Sequence, residues 1–279
     1  MNRIALRIKS YGLPLLILSI FRILLIRVYK LFGINRFVIR KVFDYKMYLD
    51  IYDQGLSKQL IKYRKRELDH KYILEKTLKK GSTVLDIGAN IGYYALMELN
   101  LIGDNGRLIA VEPSPSNVDL LKKNIALNGK NNNTRIISGA ISSVTGKEKF
   151  YLSYASNLNT FHNYGTVTQH LSGEAIDVST YKVIDVLNKD EMERGLDLIR
   201  MDVEGHEVDV LNGLIDEIES GKLLPAIVFE THISRYTKEN DMSKTLKKLF
   251  SLGYKVKYMA SSWEKGTVMI NEYGYSETV

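Results

Sequence analysis

The sequence predicts an α/β fold, a mostly parallel sheet with helices on both faces, preceded by a helical extension. Three observations predict it. From Gly81 onward short β-rich runs alternate with helix-length stretches, the rhythm of strand–helix–strand units that pair in parallel. Residues 84–92, Val-Leu-Asp-Ile-Gly-Ala-Asn-Ile-Gly, read as a strand, a glycine turn and a helix start. The length, 279 residues, suffices for one sizeable domain plus an extension.

The elements follow in order. Residues 83–87 form the first strand, 92–101 a helix and 103–106 a turn, and 107–111 the second strand. Ser114 is a good helix N-cap and Pro115 suits the first helical position; that helix runs to about Asn128, where Gly129 stops it. Residues 134–138 are a third strand and 148–153 a further one. Residues 154–172 are polar and aperiodic, a loop long enough to be functional. The fourth core strand is 196–203, followed by a helix over 207–218. Pro225 precedes the fifth strand, 226–231; a helix over 243–252 and a closing pair of strands, 254–259 and 267–271, complete the domain. The domain boundary is expected at residue 70, with 1–70 helical and basic and 71–279 the catalytic domain.

Composition narrows the classes. With 45% hydrophobic and 25% charged residues the chain is neither disordered nor fibrous. No cysteine is present, which excludes disulfides, zinc–thiolate sites and cysteine nucleophiles, and fits a reducing cytoplasm. A net charge of +7 admits nucleic acid, an anionic membrane surface or a phosphorylated substrate as partner.

Residues 13–26 are nearly all apolar, broken only by Ser19 and Arg22, too short a run to span a bilayer, where about 20 residues are needed. No small-residue cleavage site follows, so a secretory signal is not expected. On a helical wheel Ser19, Arg22, Arg27 and Lys30 share one side, with Arg3, Arg7 and Lys9 upstream. Two readings stand: a helix over 13–32 lying in a membrane interface, or one docked on its own catalytic domain or on a second subunit.

Open parallel sheets bind ligands at the carboxyl ends of their strands, where the strand order reverses. Gly88 and Gly92 follow the first strand and permit close backbone approach, Asp86 can shape the turn or reach the ligand, and the new helix aims its amides at the site. Glu112 ends the second strand, twenty residues after Gly92, where a carboxylate can accept both ribose hydroxyls of an adenosine. A dinucleotide site would show G-x-G-x-x-G; this turn has Gly88-Ala89-Asn90-Ile91-Gly92 preceded by an acid, which favours S-adenosylmethionine (SAM). The turn also lacks the phosphate-cradling G-x-x-x-x-G-K-[ST], which argues against an ATPase.

Three blocks then carry a resemblance: VLDIGANIGYYAL at 84–96, AVEPSPSNVDLLKKNIALN at 110–128 and LIRMDVEGHEVDVLNGL at 198–214. The chain resembles the FkbM family of SAM-dependent methyltransferases over roughly residues 84–230, and the third block is the most distinctive. The resemblance implies a Rossmann-like class I methyltransferase with a seven-stranded sheet, and O-methylation, often of a sugar or natural-product hydroxyl. By motif position it assigns SAM to Asp86, Gly88, Asn90, Gly92, Tyr93, Glu112 and Pro113, with Gly139 and Ala140 near the adenine. Asp202, Glu204 and Gly205 match the family's D-x-E-G turn. The chain departs from the family with Arg200 where Lys is common and His206 where a small residue is common.

Enzymes that methylate base amines commonly carry Asn/Asp-Pro-Pro-aromatic at the fourth strand's end; Asp202-Val203-Glu204-Gly205 stands here instead, favouring an oxygen acceptor. Methyl transfer needs an aligned acceptor and a group to take its proton. The candidates are Asp202, with Glu204 or His206 assisting, while Glu230 and His232 line the acceptor pocket. Asp202, Glu204, Glu230 and His232 lack the spacing of a metal motif, and no metal is expected. The expected function is O-methylation of a glycan, lipid-linked sugar or related small molecule by an enzyme in the cytoplasm, at the inner face of the membrane if the first helix binds there. RNA methylation, supported by the charge, and a non-catalytic SAM-fold binding protein are the alternatives, with nucleic acid the weaker partner.

Overall fold

The computed structural model of the chain describes residues 13–263, 266–271 and 276–278. They fall into two compact units, Met1–Lys76 with Lys255–Val279, and Thr77–Tyr254. The two compact units divide after residue 76, six residues beyond the expected domain boundary at 70, and residues from 255 onward group with the first unit.

The first unit opens with helix α1, Leu13–Phe32. The expected all-helical extension is corrected next: Phe37–Val42 (β1) and Tyr45–Asp50 (β2) form an antiparallel hairpin. Its residues alternate, with Val38, Val42, Tyr45, Met47 and Leu49 buried and Lys41 and Lys46 exposed. That period of two, in β-branched and aromatic residues, is what a half-covered strand requires, and the basic side chains between had masked it. Helices α2 (Leu56–Tyr63) and α3 (Leu68–Thr77) follow, and α1 packs on α2.

The second unit holds the parallel sheet. Its strands are β3 (Thr83–Ile87), β4 (Arg107–Glu112), β5 (Thr134–Ser138), β9 (Leu198–Met201) and β10 (Ala226–Phe229). Their order is β10-β9-β3-β4-β5, all parallel, so the chain reverses its direction of winding between β3 and β9. Between the strands run α4 (Tyr93–Ile102), α5 (Pro115–Leu127), α8 (Glu207–Glu219) and the two short helices α6 (Val183–Val186) and α7 (Lys189–Arg194); α9 (Met242–Ser251) follows β10. Alternate strand residues face opposite layers. Leu85, Ile87, Ile109, Val111, Ile199 and Met201 join one core with Val208, Leu211, Leu214 and Ile218 of α8. Asp86 and Arg200 point to the other layer, where the Arg200 guanidinium lies 3.9 Å from the ring centre of Tyr94 on α4. A smaller sheet, β6 (Ala140–Ile141), β8 (Leu171–Tyr181) and β7 (Gly146–Ser153), stands beside it.

Among the described residues the expected seven-stranded sheet has five strands. The closing strands β11 (Tyr258–Trp263) and β12 (Gly266–Asn271) pair with each other and with β13 (Ser276–Thr278) in a separate antiparallel sheet. A short connection between sequence neighbours closes at the smallest entropic cost, which favours local antiparallel pairing over insertion into a distant parallel sheet.

One buried ion triad ties β3 to β9. Arg200, fully buried, donates from Nη1 to Asp86 Oδ1 at 3.2 Å and from Nη2 to Asp202 Oδ2 at 3.3 Å. Burial works to lower the guanidinium's pKa, but Asp86 and Asp202 outweigh it and hold the charge. Arg200→Leu removes the buried cation that Asp86 and Asp202 share, and is expected to lose about 3–5 kcal/mol of stability in urea unfolding. The double variant Asp86→Asn/Arg200→Leu is expected to lose less than the sum of its single changes.

Candidate active site

The site forms at the carboxyl ends of β3, β4 and β9, on the reversal of strand order. Gly88 turns the chain out of β3 at φ +77°, and a Cβ there would stand 2.3 Å from the backbone oxygen of Asp202. Only glycine lets the first turn approach the turn after β9 so closely. Asn90 is left-handed at φ +51°, which Asn tolerates better than most residues. Its backbone N–H donates to Glu112 Oε2 at 2.9 Å and its side-chain amide to Ser156 O at 3.2 Å. Glu112 Oε1 accepts from Ser114 N at 3.0 Å and Asn117 Nδ2 at 3.1 Å. Burial pushes the Glu112 carboxyl up to about 7, against these hydrogen bonds, which favour its charged form.

The turn after β9 carries the titratable groups. Glu204 takes a left-handed backbone, φ +54°, and Gly205 follows at φ +104°. Burial, and next the charge of Asp202, raise the Glu204 carboxyl to about 7. Arg235 donates to Glu204 O at 2.6 Å and pairs with its carboxylate. Glu207, the first residue of α8, anchors the turn. Its Oε1 accepts from Val203 N and Gly205 N, each at 3.3 Å, and from His232 Nδ1 at 2.9 Å. Its Oε2 accepts from Tyr236 Oη at 3.1 Å. Burial alone would raise Glu207, but His232 and the amides hold it below the usual carboxylate range.

With Nδ1 held by Glu207, His232 turns Nε2 to Glu204 Oε2 at 3.6 Å and to Asp202 Oδ1 at 3.8 Å. Burial opposes its charge, yet Glu207, Glu204 and Asp202 raise it to about 9, so the imidazole is a cation at neutral pH. Asp202, Glu204 and His232 offer three ligand atoms within 4.8 Å of one another. Arg200 and Arg235 already pair with the two carboxylates, so the cluster carries its own positive charge.

A cleft opens between these turns. Val111, Pro113, Ile141, Phe150 and Phe161 give it an apolar wall, and Glu112, Asn157, Asp202 and Glu204 a polar one. The expected loop closes over it. Thr160 Oγ1 donates to Glu204 O at 3.1 Å, Tyr164 Oη to Arg235 O at 3.2 Å, and Ser156 O receives both Asn90 and Asn117. The fit to SAM rests on two buried acceptors in this cleft, Asn157 Oδ1 and Asp202 Oδ1, which lack hydrogen-bond partners. A nucleoside amine and an ammonium group are donors such acceptors need. Glu112 stands beside the apolar wall, as a ribose contact requires.

Of the expected site residues, Gly88, Asn90, Glu112, Pro113, Gly139, Ala140, Asp202, Glu204 and His206 line the cleft. Asp86, Gly92 and Tyr93 are not among its lining residues. Asp86 is paired with Arg200, and Tyr93 is packed in the core against Tyr94. A Cβ on Gly92 would stand 2.8 Å from Leu121 Cδ1, so its freedom serves the packing of α4 on α5. His206 lies ring against ring with Phe161, at 4.4 Å, and its Nε2 meets Ser142 Oγ at 3.1 Å. Burial takes its pKa down to about 4; it is a neutral wall of the cleft. Glu230 follows β10 with its backbone N–H on Met201 O, while His232 reaches the carboxylates.

Sequence reasoning missed Glu207, Arg235, Tyr236, Asn117 and Asn157. An acid in a helix's first turn is ordinary, so Glu207 gave no signal beyond adjacency to the motif. Arg235 and Tyr236 sit in a loop without periodicity and reach the site only through the fold.

Gly88→Ala is expected to weaken SAM binding at least about tenfold by calorimetry, since the added methyl parts the turns after β3 and β9. Unchanged affinity in a folded variant would show that the approach of the two turns does not shape the cofactor site.

Comparison with known proteins agrees with the cleft. The methyltransferase FkbM domain family matches residues 86–256. Methyltransferase sdnD of Sordaria araneosa is 28% identical over 195 residues, covering 61% of this chain and 73% of that protein. A protein-L-isoaspartate O-methyltransferase of Methanococcoides burtonii is 39% identical over 57 residues, 20% of this chain and 28% of that protein. The solved structure of methyltransferase FkbM from Methylobacillus flagellatus KT aligns over 73% of this chain and 48% of its own, at 13% identity and a TM-score of 0.39. Because the family match spans well over half of the sequence, the chain belongs to the FkbM family of SAM-dependent methyltransferases.

Proposed function

We propose that this methyltransferase acts on a hydroxyl oxygen of a glycan, a lipid-linked sugar or a related small molecule, with Glu204 taking the hydroxyl proton. The observation that carries this reading is the Glu204 carboxyl itself, at the cleft and raised to about 7. A base of that pKa is half ionised near neutral pH, where general-base catalysis of a weakly acidic hydroxyl is most effective. Asp202, expected from the sequence as the base, has Oδ2 committed to Arg200. Its role is then to aim Oδ1 at the cleft and, by its charge, to raise Glu204.

Bound SAM supplies a methyl group on a sulfonium, ready for in-line displacement. Glu204 would take the hydroxyl proton as the acceptor oxygen receives that methyl group, the thioether being the leaving group. His232, fixed by Glu207, stands beside both carboxylates as a cation and steadies the charge they carry. Phe150 and Phe161, with ring centres 4.9 Å apart and planes inclined at 59°, give an apolar wall beside the carboxylates.

The reading of the chain as an RNA methyltransferase has the +7 charge in its favour. Against it, the β9 end carries Asp202-Val203-Glu204-Gly205 where enzymes that methylate base amines commonly carry Asn/Asp-Pro-Pro-aromatic.

The substrate class is tested with radiolabelled SAM against sugar nucleotides, isolated glycolipids and bulk RNA. Label is expected in a sugar product as an ether stable to mild base. Label in RNA alone, or in a base-labile carboxyl ester, sinks the proposal. The pH profile of kcat/KM is expected to climb through about 7 as Glu204 ionises and to fall near 9 as His232 loses its proton. Glu204→Gln is expected to cut turnover about a hundredfold or more, keep SAM affinity and flatten the rising limb. Full turnover in that variant removes Glu204 as the base.

A further inference from the structure

Helix α1 is amphipathic in the inverse of the usual sense. A helix on a globular protein normally buries its apolar stripe and turns polar residues to water. Here Ser19 and Arg22 are 2% and 7% exposed, while Ile17, Phe21 and Leu24 are 60%, 64% and 51% exposed and Leu31 80%. Ile20 and Val28 extend the same exposed face, at the spacing of successive helical turns. The polar strip is held by the protein. Arg22 Nη1 donates to Lys62 O at 2.5 Å, a carbonyl in the last turn of α2, where a cation is electrostatically favoured. The rotation of α1 about its axis is thus fixed by a buried charged contact, and its apolar face is left outward along twenty residues, about 30 Å.

Such a continuous apolar face exceeds the scattered hydrophobics of an ordinary surface. Among the described residues no helix is long and apolar enough to cross a membrane. Arg27 is exposed at the edge of the face, and Arg40, Lys41 and Lys46 follow within residues 27–46, where the one acid is Asp44, while Arg36 pairs with Asp50. We infer that α1 lies in the surface of an anionic bilayer, its outward face among the acyl chains and the basic residues around it on lipid phosphates. Charge selects this occupant over a second copy of the chain, because two copies meeting through α1 bring their basic rims together, whereas anionic headgroups neutralise them. The inference does not depend on which acceptor the active site takes.

The test is co-sedimentation of the full chain with vesicles of equimolar phosphatidylglycerol and phosphatidylcholine. The chain is expected to pellet with these vesicles. With phosphatidylcholine alone, and at high salt, which screens the charge, it is expected to pellet far less. Phe21→Asp/Leu24→Asp changes two outward residues and is expected to weaken vesicle binding at least about tenfold while leaving the circular dichroism spectrum and SAM affinity intact. Failure of the wild type to pellet overturns the inference. So does a dimer in solution that the double variant splits, since α1 then meets a second copy of the chain.

Discussion

Arg200 is the constraint on which the active site depends. A cation there lies under the sheet layer that carries Asp86 and at the base of the turn that carries Asp202, and it neutralises both. Without it, two carboxylates and the nearby Glu98 would share one water-free space. Glu98 shows what that environment does: burial and then Asp86 hold its carboxyl well above the usual range. The tie also sets geometry. Because Asp86 sits opposite Arg200 in the β3–β9 register, the turns after both strands start from one fixed origin, and Gly88 can touch Asp202. Arginine meets the two carboxylates with separate nitrogens of one planar fork, whereas lysine would meet both through a single ammonium nitrogen.

Above that base a second network repeats the logic at the mouth of the cleft. Glu207 gathers two turn amides, one imidazole and one phenol, so a single carboxylate fixes the β9 turn and the segment after β10 together. The loop over the cleft joins the same construction, since Thr160 and Arg235 both donate to Glu204 O. Positioning of Glu204, of the imidazolium beside it and of the loop above it is therefore one cooperative property.

Much of the fold and part of the site were legible in the sequence, each for a physical reason. The inner parallel strands β3, β4 and β9 read clearly because strands buried on both faces are short apolar runs between helices. The β1–β2 hairpin escaped because its outward residues are basic and resemble the charged helices around it. Strands β11 to β13 were read as strands but given the wrong neighbours; pairing is a long-range fact that local pattern does not carry. In the site, Gly88, Glu112, Asp202 and Glu204 were legible because each is dictated by a turn or strand end. Gly92 and Tyr93 share that motif yet serve packing, a distinction only the third dimension draws. His232 was found as a strand-end polar residue, but the carboxylate that orients it, Glu207, belongs to another element.

Glu204 occupies a backbone conformation that glycine adopts freely and other residues adopt at a cost of about 1–2 kcal/mol. The chain sets Gly205 beside it, so the turn has a residue suited to the left-handed region and still keeps a carboxylate at the less suited one. Strain of this kind is a trade of durability for chemistry. A sequence optimised for backbone comfort alone would put glycine at position 204 and lose the carboxylate proposed here as the proton acceptor. Backbone comfort and the proposed chemistry therefore pull apart at a single residue of the β9 turn.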